Sequence, residues 1–78
     1  MARPTQEWQQ RVSGLLRAEV ARRNLSYREL VEKLAEIGVH ESESNIANKF
    51  ARGTFTAAFF VQVLDAIGCR VLRLREDN

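Results

Sequence analysis

The chain has 78 residues, which is enough for one small domain, residues 1–78, and too few for a second. Hydrophobic residues make up 45% and charged residues 28% of the chain, a composition that favours a globular, helical protein and excludes a disordered one. The formal net charge of +2 is compatible with nucleic-acid binding but does not require it. Because Cys69 has no second cysteine to pair with and we see no secretory leader or long apolar run, we expect a cytoplasmic protein.

The first predicted element is a helix over residues 6–23. Apolar residues recur four, seven, eight and twelve positions after the first of them and therefore share one face: Trp8, Val12, Leu15, Leu16 and Val20. We interpret this face as buried core, and the alternative is a stripe that binds a partner protein. Asn24 ends the helix, because asparagine tolerates the left-handed conformation found at helix ends.

Capping signals predict three more helices, over residues 27–37, 43–52 and 57–67. Ser26 and Glu29 have the spacing of a capping box, and the candidate N-caps of the other two helices are Ser42 or Ser44 and then Thr56. A glycine follows each helix: Gly38, Gly53 and Gly68. Phe59 falls about a third of a turn off the buried face of the last helix, so an exposed Phe59 would mark a contact surface.

The pattern changes near the end of the chain. In residues 69–75 leucines alternate with arginines at a period of two, which predicts a strand over about residues 70–75. A solitary strand leaves its backbone groups without partners, so we expect it to pair with the same strand of a second copy. The predicted dimer interface comprises Val71, Leu72, Arg73 and Leu74. The alternative is a tail packed irregularly over the helices.

Residues 41–53 carry the pattern most relevant to function. Ile46, Ala47 and Phe50 share one face of the predicted third helix, so its opposite face must be polar. The polar face carries Asn45, Asn48, Lys49 and Arg52. Asparagine can pair with adenine through two hydrogen bonds, and arginine and lysine bind guanine or phosphate, so this face predicts contact with DNA. The simpler alternative is a solvated polar face.

Together the elements predict an all-α fold, a compact four-helix bundle with a short C-terminal β-strand. Residues 25–68 resemble the helix-turn-helix domain of the lambda-repressor-like class: LSYREL opens the second helix, Arg52 and Gly53 close the third, and LDAIG closes the fourth. The chain also resembles a group of small bacterial proteins catalogued as a domain of unknown function, with Trp8 near the start and NKFARGTF in the middle.

The resemblance to the repressor class implies that the third helix lies in the major groove of double-stranded DNA and that the second crosses the phosphate backbone. The DNA-binding residues it implies are Tyr27, Arg28, Ser42, Ser44, Asn45, Asn48, Lys49 and Arg52. We therefore expect a sequence-specific DNA-binding protein, a small bacterial or phage transcriptional regulator that acts as a homodimer on a palindromic site.

Other chemistry is not expected. His40 and Cys69 have no neighbours in sequence that would complete a metal site or a nucleophile and base pair, so we expect no enzyme activity, metal, cofactor, small-molecule substrate or membrane partner. The alternative function is a helical protein-interaction module, of antitoxin or adaptor type, that keeps the fold without specific DNA binding. Glu41 and Glu43 favour this alternative, because carboxylates repel phosphates.

Overall fold

The computed structural model of the chain describes residues 5–74, which form four α-helices. They are α1 (Thr5–Arg22), α2 (Tyr27–Glu36), α3 (Glu43–Arg52) and α4 (Ala57–Ala66). These bounds agree with the predicted helices to within one residue at each end, and the all-α prediction is confirmed. None of the four helices combines the length and the hydropathy that crossing a bilayer requires.

Side-chain caps fix the first turn of α2, α3 and α4. Ser26 Oγ accepts the Glu29 N–H at 3.1 Å, and the Glu29 carboxylate accepts the Ser26 N–H at 2.8 Å, which completes the predicted capping box. Ser42 caps α3 and Thr56 caps α4 through hydrogen bonds of 3.1 and 3.0 Å. Ser42, and not Ser44, therefore begins α3. Each cap provides a partner for an N–H that the helix itself leaves unpaired.

One apolar core lies between the helices, where α1 and α2 each pack against α3 and α4. Its centre consists of fully buried side chains: Leu16, Leu30, Leu34, Ile46, Phe50 and Val63. The Phe50 ring meets the Tyr27 ring at 5.4 Å and the Phe59 ring at 6.3 Å, both edge to face. Because full burial of one such side chain is worth about 1.5–3 kcal/mol, Ile46 and Phe50 hold α3 firmly by its inner face.

Two aromatic residues differ from their predicted environments. Trp8, interpreted as core, is 55% exposed, because the inward stripe of α1 is centred on Ser13 and Leu16 and leaves Trp8 at its margin. Phe59, considered as an exposed contact, is only 3% exposed. Its ring fills the space beside Phe50 and lies 5.4 Å from the Phe55 ring. Phe59, Val63 and Ile67 recur every four residues and are buried, so the inward stripe of α4 is centred on Phe59 and Val63 and not on Phe60 as predicted.

The predicted C-terminal strand is wrong. Residues 69–74 form neither a strand nor a helix, and there is no β-strand within residues 5–74. Arg75, the last residue of the prediction, lies outside the described residues. The tail instead lies against α1, since the Arg11 guanidinium donates to the Leu74 carbonyl at 3.3 Å. The Cys69 thiol donates to the Val71 carbonyl at 3.4 Å.

These contacts bear on the dimer interface predicted for residues 71–74. The prediction assumed that backbone groups in the tail would find partners only in a second copy. Two of its carbonyls have partners within the same chain, and the side chains of Val71 and Leu74 are exposed. The irregular tail that was the alternative to the strand matches this arrangement. Dimerisation itself stays a prediction, but it loses the paired strand as its basis.

Candidate nucleic-acid interface

The outer face of α3, by which we mean Ser44, Asn45, Asn48 and Arg52, is exposed along the length of the helix. Its polarity follows from the core, because Ile46 and Phe50 occupy the opposite side and are fully buried. Asn45, Asn48 and Arg52 are separated by three and four residues, so their side chains form one row. Of the polar face predicted from the sequence, Asn45, Asn48 and Arg52 are exposed and Lys49 is only partly so.

A shallow concave surface lies along one side of this face. Its lining combines amide, cationic, hydroxyl and aromatic groups: Asn45, Asn48, Lys49, Arg52, Thr54, Phe55 and Thr56. Sequence reasoning missed Thr54 and Phe55, which lie in the link between α3 and α4. Gly53 was the available signal, because a left-handed glycine at a helix end turns the chain back along the helix it has left.

Gly53 also fixes the C-terminal end of α3 against α1. Its N–H donates to the Lys49 carbonyl at 2.9 Å, and its φ of +67° lies in the left-handed region. A Cβ at this position would lie 2.8 Å from the backbone carbonyl carbon of Gln9, and closer still to the Gln9 oxygen. Only glycine permits such an approach without displacing α1 or α3.

Two side chains of α1 reach the same end of α3. The Phe50 carbonyl accepts hydrogen bonds from the fully buried Ser13 hydroxyl and, at 3.3 Å, from the Arg17 guanidinium. Carbonyls in the last turn of a helix have no partner within the helix, so these donors satisfy an acceptor that would otherwise be buried alone. Together with Gly53 they support the outer face of α3 from behind.

Lys49 has a different environment from its neighbours on α3. Its Nζ lies 2.7 Å from Glu41 Oε2 and 4.4 Å from the centroid of the Phe59 ring. The Lys49 side chain is 37% exposed and the Glu41 side chain only 14%. The ammonium group is therefore held by an ion pair and a cation–π contact. No sequence pattern indicates this pair, because Glu41 precedes α3 and the two residues share no helical spacing.

The other residues implied by the repressor resemblance take different positions around α3. The Ser42 hydroxyl is used as the N-cap of α3. Tyr27 is half-buried with its ring against Phe50. Arg28 is exposed in the first turn of α2. Of these three, only Arg28 presents a charged group to solvent, which makes it the one suited to a phosphate.

A charged cluster at the C-terminal end of α1 was also missed. Glu19 is only 5% exposed and lies 2.7 Å from Arg23 and 2.6 Å from Arg22. The hydrogen bond from Arg23 holds the pKa of Glu19 below its ordinary value, against the opposing effect of burial, and Arg22 and the Cys69 thiol lower the pKa further. The three- and four-residue spacing of these charges on α1 was the signal that could have found the cluster. It links α1 to the tail rather than to the outer face of α3.

Trp8 lies between two apolar depressions on the other side of the α3–α4 link. One is lined by Trp8, Gln9, Val12, Gly53, Phe55, Thr56, Ala57 and Phe60, and the other by Trp8, Arg11, Val12, Leu15 and Leu74. An exposed tryptophan flanked by apolar surface is typical of protein contact sites. The alternative interpretation of this α1 stripe, as a partner-binding surface, therefore corresponds to a specific exposed region.

Comparison with known proteins identifies a family. Residues 8–72 match the family described as Domain of unknown function (DUF6471). This match confirms the resemblance to a domain of unknown function, while the resemblance to the helix-turn-helix class stays a prediction. No curated protein and no solved structure matches the chain.

Proposed function

We propose that this chain, which belongs to the family described as Domain of unknown function (DUF6471), is a sequence-specific DNA-binding protein. One observation carries the proposal: Asn45, Asn48 and Arg52 form an exposed row on a helix whose inner face is anchored in the core. We assign the bundle to the lambda-repressor-like helix-turn-helix class, with α3 as its recognition helix. The protein would act in the cytoplasm as a small transcriptional regulator.

In the proposed complex, α3 lies in the major groove. Its ten residues span about 15 Å, and the groove is about 12 Å wide, so the helix can present its outer face to several base pairs. Asn45 and Asn48 read base edges, for which the amide group suits adenine. Arg52 and Arg28 bind phosphates and set the register of α3 on the duplex.

Rigidity of α3 supports this assignment. Base reading requires side chains held to within about half an ångström of their productive positions. Phe50 fixes the inner face of α3, and Gly53 brings its end into contact with the α1 backbone. The row of polar side chains therefore stands on a supported element and not on a loop.

A homodimer on a palindromic site is part of the proposal. Two recognition helices would then enter successive major grooves, about 34 Å apart.

Selection from a randomised duplex pool, followed by anisotropy titration at two salt concentrations, tests the proposal. Asn48→Ala should remove preference at particular base pairs and cost about 1–3 kcal/mol of binding free energy. Arg52→Gln should weaken binding to all sequences and reduce the salt slope by about one. Arg70→Gln is the matched control, because Arg70 is an exposed cation beyond the end of α4. A folded protein that prefers no duplex over random sequence would refute the proposal.

The second candidate function is a protein-interaction module, and the exposure of Trp8 favours it. Trp8→Ala removes the centre of the apolar surface and no group on the outer face of α3, whereas Asn48→Ala does the reverse. If the protein is an interaction module, Trp8→Ala should abolish its activity in the host cell, and Asn48→Ala should leave that activity intact. DNA binding predicts the greater loss for Asn48→Ala.

A further inference from the structure

Lys49 is the one cation of the proposed recognition helix that already has a carboxylate partner. Its Nζ lies 2.7 Å from Glu41 Oε2, and the Phe59 ring covers another side of the ammonium group at 4.4 Å. Arg52, three residues further along α3, is exposed and forms no ion pair within residues 5–74. The two cations therefore differ in what a phosphate would have to displace in order to bind them.

We propose that Glu41 limits non-specific binding to nucleic acid by neutralising Lys49 and so withholding it from phosphates. The inference rests on the proposed function, because it assigns Glu41 a role in how strongly α3 holds the phosphate backbone. It also differs from the simplest view of an acid beside a DNA-binding helix, in which the carboxylate repels phosphates directly.

The burial of Glu41 makes the pair difficult to open. Its side chain is 14% exposed with Lys49 in place. A phosphate that took Lys49 would leave this largely buried carboxylate without its counterion, which costs more than breaking a pair on the open surface. It would also break the cation–π contact with Phe59. The contacts with Glu41 and Phe59 therefore withhold Lys49 from phosphates.

Neutralising one lysine removes a phosphate contact of α3 and none of its base contacts. Phosphate contacts supply essentially all of the affinity for random sequence, whereas base contacts supply the preference for one sequence. Withholding Lys49 removes one phosphate contact and leaves Asn45 and Asn48 able to contact bases. Binding to random sequence, which has no base contacts to rely on, is therefore weakened directly, while the sequence preference stays with Asn45 and Asn48.

Glu43 provides a matched comparison. It lies in the first turn of α3, two residues from Glu41, but it is exposed and has no ion-pair partner among the described residues. Glu41→Gln and Glu43→Gln change the net charge by the same amount through the same chemical replacement. Only Glu41→Gln releases Lys49, so a difference between the two variants isolates the ion pair from general charge.

The test measures anisotropy of a labelled random-sequence duplex over a range of salt concentrations, with circular dichroism to confirm folding. Glu41→Gln should steepen the slope of log K against log salt by about 0.9, the value for one added phosphate contact. Its low-salt affinity should increase several-fold more than that of Glu43→Gln. Lys49→Gln should leave the wild-type slope unchanged, and the double variant Glu41→Gln/Lys49→Gln should return to it.

Two results would overturn the inference. One is equal slopes and affinities for Glu41→Gln and Glu43→Gln. The other is a Lys49→Gln slope shallower by about one, which would mean that Lys49 already contacts phosphate in the wild type. The Lys49→Gln result decides the matter even if Glu41→Gln fails to fold. All of these measurements use random sequence, so they are independent of duplex selection, whose failure would refute specific binding instead.

Discussion

Replacing Gly53 with alanine tests how α3 is held against α1. Two costs arise at this position. An L-residue at a φ of +67° is strained by about 1 kcal/mol, and the new Cβ would lie 2.8 Å from the carbonyl carbon of Gln9. Because the obstacle is backbone and not the end of a flexible side chain, α1 or α3 must shift, at an overpacking cost of about 1–3 kcal/mol. The expected total is a loss of about 2–4 kcal/mol in the free energy of unfolding.

Gly38→Ala separates the two costs. Gly38 has a φ of +83°, but nothing lies within 4 Å of the position where its Cβ would be. Gly38→Ala therefore introduces the backbone strain without the steric clash, and its free energy of unfolding should fall by only about 1 kcal/mol. A domain of 78 residues has a free energy of unfolding of about 4–12 kcal/mol, so Gly53→Ala would remove a large share of it.

Urea denaturation followed by circular dichroism gives both values. The expected result is a midpoint that is clearly lower for Gly53→Ala than for Gly38→Ala, with similar m-values, so that the difference reports stability and not compactness. If the two variants agree within about 0.5 kcal/mol, a close approach of Gly53 to the α1 backbone is refuted, and the rigid support proposed for the outer face of α3 loses its main contact.

Three further predictions concern other contacts. Glu19→Gln should flatten the dependence of stability on pH. Because the pKa of Glu19 is lowered in the folded state, its ionised form stabilises the fold above about pH 4.5, and this contribution is lost as the pH falls through the folded-state pKa. The urea midpoints of Glu19→Gln at pH 7 and pH 3 should therefore differ less than those of the wild type. Ser13→Ala should cost about 1 kcal/mol by removing a donor to Phe50, whereas Ser44→Ala, on the exposed face, should stay within about 0.5 kcal/mol. Truncation after Gly68 should leave the oligomeric state in sedimentation unchanged, because the tail contacts its own chain.

Each of these predictions can fail on its own terms. An equal change with pH in Glu19→Gln and wild type would mean that other carboxylates govern acid unfolding. Equal stabilities for Ser13→Ala and Ser44→Ala would show that the remaining arginine donor satisfies the Phe50 carbonyl alone. A change from dimer to monomer on truncation would restore the tail as a dimer contact despite its irregular backbone.

The helices could be predicted because their determinants are local. The capping box joins residues three apart, and the caps at Ser42 and Thr56 act over the same distance. The polar row on α3 could be predicted for a similar reason, since helical spacing and two buried residues, Ile46 and Phe50, decide which side faces out. Sequence within one or two turns contains all of that information.

The rest depends on contacts between elements. Nothing near Gly53 in sequence indicates that the Gln9 backbone will lie against it, and nothing near Lys49 indicates a partner in the preceding link. The strand predicted for the tail was wrong for the same reason. An alternation of leucine and arginine predicts a strand only if a neighbouring strand exists, and the contact with Arg11 gives the tail another place to pack.

The support from α1 should also be visible in DNA binding, through the position of Arg52. Arg52 directly precedes Gly53, whereas Asn45 lies eight residues before Gly53 and therefore about 12 Å from it along α3. A shift forced by Gly53→Ala at the end of α3 should displace Arg52 and leave Asn45 nearly in place. The effects of Gly53→Ala and Arg52→Gln on the binding free energy should then be non-additive, because Gly53→Ala already impairs the contact between Arg52 and DNA.

Gly53→Ala combined with Asn45→Ala provides the comparison. Sites separated by more than about 7–10 Å usually act independently, so this pair should be additive within about 0.5 kcal/mol. Both cycles are measured by anisotropy on the selected duplex, under conditions in which every variant is folded. Equal coupling in the two cycles would indicate that Gly53→Ala disturbs the whole of α3, and that contact with α1 does not specifically position Arg52.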